Sequence, residues 1–124
     1  MAIKSLSYSD LEKRILEGFL QLAALHQQEF SDWVDWDKER PGNYLVFATV
    51  VVPYLRARLD EPEDERTLTK LFAFFEEMAT SGDPEVVNLL KSEVVQTLVR
   101  DPERLAKAQK HMRQQVRELL LTVR

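Results

Sequence analysis

The chain has 124 residues, 44% hydrophobic and 31% charged, which is one domain's length and enough to bury a single core. It has no cysteine, two histidines (His26 and His111) and three glycines. Disulfides, thiolate metal sites, multi-histidine metal centres and glycine-rich phosphate loops are therefore excluded, and a net charge of −4 disfavours binding nucleic acid over the whole surface.

Ser9-Asp10-Leu11-Glu12 has the form of a capping box, with Ser as the cap and Glu three residues on. Leu11, Ile15, Phe19 and Leu22 then recur at helical spacing, and Leu16, Leu20 and Ala23 widen the stripe, so a first helix is predicted over about residues 9–29. Gly18 inside it is expected to mark close packing with a neighbour. Residues 30–42, FSDWVDWDKERPG, lack a helical period and end in Pro-Gly, which predicts a loop. Asn43 is placed to cap a second helix that runs through Leu59. The triplet Val50-Val51-Val52 alone would suit a strand, but the apolar spacing continues past it and no second strand exists to pair with it. Pro53 is expected to kink this helix by removing one backbone hydrogen bond.

Residues 60–65, DEPEDE, form an acidic turn. A third helix carries Leu68, Leu71, Phe72, Phe75, Met78 and Ala79 and stops at Gly82. Asp83-Pro84-Glu85 opens a fourth helix, with Asp at the cap and Pro in the first turn; Val86, Val87, Leu90, Val94 and Leu98 follow. Asp101-Pro102-Glu103 repeats that start and opens a fifth, carrying Leu105, Ala108, Met112, Val116, Leu119, Leu120 and Val123. The expected fold is all-α, a single helical domain over residues 1–124, either a five-helix bundle or a short HEAT-like antiparallel helical stack. Leu71, Phe72, Phe75, Leu90, Val94 and Leu98 are expected to be buried together.

The longest apolar run, residues 44–55, is shorter than the ~20 residues a membrane span needs. The opening MAIKSLSYSD lacks the apolar stretch of a signal peptide. No membrane partner and a cytoplasmic location are expected.

Few residues suggest chemistry. His26 and Glu29 share a helix face, but they reverse the Glu-x-x-His order of a di-iron motif and no second pair exists, so His26 reads as a surface residue near a helix end. His111 has no nucleophile or substrate partner in the sequence to make it a general base. Glu76 and Glu77 are adjacent on a helix and point about 100° apart; one is expected to face solvent and the other the edge of the core. No catalytic, metal or cofactor-binding residue is expected, and no cofactor.

Two features suggest a protein partner. Both tryptophans, Trp33 and Trp36, lie between residues 29 and 39, where five acids face one base. Tryptophan is enriched at interface centres, and acids steer basic partners. The expected partner surface is Asp32, Trp33, Asp35, Trp36, Asp37 and Glu39, with Asp60 and Glu61 from the acidic turn; the alternative is that the tryptophans fold back as a lid over the bundle. By contrast, residues 100–124 hold seven bases against three acids. Arg100, Arg104, Lys107, Arg113 and Arg117 are spaced as a solvated helix face, and without interleaved aromatics they make nucleic acid an unlikely partner.

Residues 71–120 contain an aromatic-rich helix (Phe72, Phe75, Glu76, Glu77), then Gly82-Asp83, Glu85, Val86 and Val87, an apolar helix to Leu98, and a closing helix reaching Leu120. This pattern resembles a family of small all-helical bacterial proteins of unassigned activity, similar to immunity proteins encoded beside polymorphic toxins. The resemblance implies an immunity function and carries no binding residue with it. Residues 82–98 also resemble the second helix of a HEAT-type repeat, which opens with Asp-Pro-x-Val. The expected function is a non-enzymatic, immunity-like protein-binding domain that occludes a basic partner such as a toxin; the alternative is a small helical scaffold or adaptor of the solenoid type.

Overall fold

The computed structural model describes residues 6–31, 42–60 and 64–123. All regular structure among them is helical, in seven segments. A 3-10 turn, Tyr8–Asp10, leads into α1, Leu11–Gly18, and α2 is Leu20–Phe30. Helix α3 spans residues 43–60, with a π-helical segment Phe47–Val51 between two α-helical parts. Helix α4 is Glu65–Ala79. Helix α5 spans residues 84–99 and has its own π segment, Leu90–Val95. Helices α6, Pro102–Gln109, and α7, Gln114–Val123, complete the fold.

The all-α reading holds, but neither the five-helix bundle nor the HEAT-like stack is matched in detail. The expected first helix is divided at Phe19, whose backbone is extended (φ −138°, ψ 101°). The break lets the Phe19 ring turn inward, 6.5 Å from Phe74 and edge-on to it. Lys70 Nζ donates to the Gly18 carbonyl at 2.6 Å and lies 4.9 Å from the centre of the Phe19 ring. Gly18 is not a packing glycine: a Cβ there would meet nothing within 4 Å. The expected fifth helix is divided at residues 110–113, where His111 and Met112 make turn bonds to Ala108 and Gln109.

Val50, Val51 and Val52 are helical and buried, as the continued spacing predicts. A regular α-helix turns 100° per residue and would swing one of three consecutive side chains towards solvent. The π segment widens the buried face by bonding the Val52 amide to the Phe47 carbonyl, five residues back. It ends at Val51, two residues before Pro53, which itself lies in the α-helical part. Helix α5 has no such proline after it, yet its buried pairs Leu89-Leu90 and Val94-Val95 are likewise five apart. The two π segments pack on each other within the core.

Asp64 caps α4 by accepting from the Thr67 amide, Asp83 caps α5 through the Glu85 amide, and Asp101 caps α6 through the Arg104 amide. The Ser9–Glu12 capping box does not form; α1 starts from the 3-10 turn, with no side-chain cap. Asn43 is the first residue of α3, not its cap, and its buried amide donates to the Tyr8 carbonyl at 2.7 Å. The leading segment is held further by Asp83, whose carboxylate accepts from the Tyr8 amide at 2.8 Å, and by Ser81, whose hydroxyl donates to the Leu6 carbonyl.

The six residues expected to share the core do so, all at 1% exposure or less. Phe72 and Phe75 meet edge to face at 5.1 Å. Helix α7 packs on α4 and on the middle of α5, while α6 packs on the second half of α3.

Candidate functional site

Of the residues expected to meet a partner, Asp32, Trp33, Asp35, Trp36, Asp37, Glu39 and Glu61 lie outside the described residues. Asp60 is described, at the end of α3. Its carboxylate accepts two hydrogen bonds from Arg104, at 2.8 Å from Nε and 2.6 Å from a terminal nitrogen. A second terminal nitrogen of Arg104 bonds Asp101 at 2.6 Å. The fork fits a carboxylate in two-point fashion and joins α3 to α6. It holds the Asp60 carboxyl below the usual carboxylate range, and the Thr67 hydroxyl and amide do the same for Asp64. Asp60 therefore presents a carboxylate whose charge is already largely matched.

Part of the basic stripe is tied to other elements and is not a wholly solvated face. Besides Arg104, Lys107 donates to the Leu59 carbonyl at the end of α3, and Arg117 donates to the Met112 and Gln109 carbonyls at the end of α6. These cations satisfy the carbonyls that a helix end leaves without partners. Arg100, Arg113 and Arg117 are exposed, as expected.

Glu76 and Glu77 divide as their angular spacing requires. Glu77 is at the surface, 3.4 Å from Arg14. Glu76 reaches across to α7, where its two oxygens accept from the Gln115 and Val116 amides, each at 3.1 Å. It is an N-cap supplied by another helix, placed where the α7 dipole favours a negative charge. His26 is not the surface residue its position suggests: its Nε2 lies 2.6 Å from Glu12, both side chains about 15% exposed, and its ring packs 5.1 Å from Phe30. His111 stacks on Phe72 at 6.2 Å. Among the described residues no group of three or more His, Asp or Glu side chains is arranged to hold a metal ion, and no helix is long and apolar enough to cross a membrane.

Sequence reasoning missed a surface trough that runs along α2 and across the break at Phe19. Its first part, about 520 Å³, lies between α2 and α3 and is lined mostly by apolar groups, among them Ala24, Leu25, Pro53, Ala57 and the Tyr54 ring. Arg58 lies over that ring at 5.5 Å. Tyr54 Oη donates to Gln21 on the facing helix, and burial pushes the Tyr54 hydroxyl above its ordinary pKa. The trough continues past Phe19 and Leu20 to Arg66 and Lys70. Beyond Gly18 it opens into a groove of about 530 Å³ between Glu17, Glu77, Arg14 and Arg113. The break exposes Leu20, 84% accessible, at its rim. The apolar stripe of the expected first helix disguised this surface, because Leu20 looks like a core position of one long helix.

No curated protein and no solved structure shows significant similarity to the chain. A family model described as a domain of unknown function (DUF7674) matches residues 13–123, from the first helix to the last, and the chain belongs to that family.

Proposed function

We propose that this chain is a non-enzymatic protein-binding domain that acts by stoichiometric occlusion, in the manner of an immunity protein against a basic toxin. The observation that carries this reading is the content of residues 29–39, both tryptophans among five acids, set between two ends anchored in the fold. Phe30, at the start of that stretch, is 5% exposed, and Asn43, just after it, is 9% exposed. A partner-binding segment held at both ends by buried residues loses less freedom on binding than a free tail. The acids draw in a basic surface, and a tryptophan supplies the anchor.

The test is kinetic. Affinity capture provides a basic partner, and stopped-flow fluorescence follows its association. Reversing Asp35 and Asp37 to Lys slows association and flattens its salt dependence, while the far-UV spectrum is unchanged. Trp36→Ala mainly speeds dissociation. Rates equal to wild type in both variants would place the binding surface elsewhere.

A further inference from the structure

The trough along α2 has a character opposite to that of the acidic segment. Among the described residues that line its three adjoining parts, five are cationic (Arg14, Arg58, Arg66, Lys70, Arg113) and two anionic (Glu17, Glu77). One of those two carboxylates is already paired, Glu77 with Arg14. The wall is therefore net positive on a chain of net charge −4. Its floor is apolar, and Leu20 stands almost fully exposed beside it.

Arg58 adds a second observation. Its Nε is buried and has no hydrogen-bond acceptor among the described residues. Buried donors are nearly always satisfied, so this one is an exception that a small shift of the guanidinium towards an acceptor in the groove would relieve. Its guanidinium is held in place by the Tyr54 ring, and Tyr54 in turn by Gln21.

We infer that this trough receives an acidic amphipathic helix of a partner protein, with apolar side chains on the floor and carboxylates on Arg58, Arg66 and Arg113. Helix α2, along which the trough begins, has 11 residues, about three turns or roughly 16 Å, enough to lie beside a helix reading anchors at i, i+3 or i+4, and i+7. This surface is additional to the acidic segment. It selects a partner of the opposite charge, so either can fail while the other stands.

The probe is a fluorescein-labelled peptide with leucines on one helical face and glutamates on the other, followed by fluorescence anisotropy. The acidic peptide binds saturably, and its counterpart with glutamine in place of glutamate binds on the order of tenfold more weakly. Arg66→Glu and Leu20→Asp each weaken binding by a similar factor. Both positions are exposed and lie in the first turn of their helices, where an added acid suits the dipole, so folding is kept. Absence of saturable binding, equal binding of the two peptides, or wild-type affinity in both variants would overturn the assignment. So would a dimer in sedimentation velocity that Leu20→Asp abolishes, because the trough would then belong to a second copy of the chain.

Discussion

Glu76 shows how much one side chain does here without any chemistry. It leaves α4, crosses to α7 and accepts from two amides that would otherwise lack partners. Glu76→Ala is expected to cost about 1–3 kcal/mol, the range for losing a helix cap and leaving its donors bare. Glu77→Ala, one position along and exposed, is expected to change stability by less than about 0.5 kcal/mol. Urea denaturation of the two variants separates a capping role from a merely acidic surface. In the core, Phe75→Ala is expected to cost about 3–5 kcal/mol, since the ring is fully buried against Phe72; a melting temperature within a degree or two of wild type would contradict that packing. The angular spacing of residues 76 and 77 is legible in the sequence. The partner of Glu76 is not, because it lies about forty residues away, at a helix start that the apolar pattern runs straight through.

The same distinction holds for whole elements. Helix α4 is legible because it keeps its apolar period from Leu68 to Met78, and α5 because it opens with an aspartate cap followed by proline. The two breaks are hidden because Phe19 and Met112 keep the apolar spacing while their surroundings leave the helix. What stabilises each break is largely distant in sequence, Lys70 at Gly18 and Glu76 at residues 115 and 116, with Arg117 adding local bonds at the second. The basic stripe was misleading for a related reason, since its cations find carbonyls and carboxylates on other elements, such as Leu59 and Asp60 for Lys107 and Arg104. The π segment of α5 did leave a trace, in apolar pairs recurring at five residues instead of three or four. At this scale, Phe19→Ala is expected to cost about 3–5 kcal/mol in chemical denaturation despite its position in a break, because the ring is buried against Phe74. A cost below about 1 kcal/mol would mean that the break does not depend on that ring.

For the molecule as a whole, the pH limits of stability follow from a few groups. Asp60 and Asp64 have depressed pKa values in the folded state. Their contribution is present above the unfolded value near 3.9 and is lost as pH falls through the lower folded values. The urea midpoint is therefore expected to drop below about pH 4, and Arg104→Gln to flatten that limb by removing the main cause of the Asp60 shift. Tyr8 and Tyr54 are raised, mainly by burial. Their contribution is present below the unfolded value near 10 and is lost as pH rises through the folded values. Urea titrations from acid to alkaline pH check both limbs.

The clamp on the leading segment also has a temporal meaning. Tyr8 finds its acceptor on Asp83, and Leu6 its donor on Ser81, each 75 residues further along the chain. During synthesis at ~5–20 residues per second, the segment waits roughly 4–15 s for those partners to be made. Throughout that interval the first helices exist without the contacts that seat them, and their apolar faces are open to chaperones or to neighbouring nascent chains.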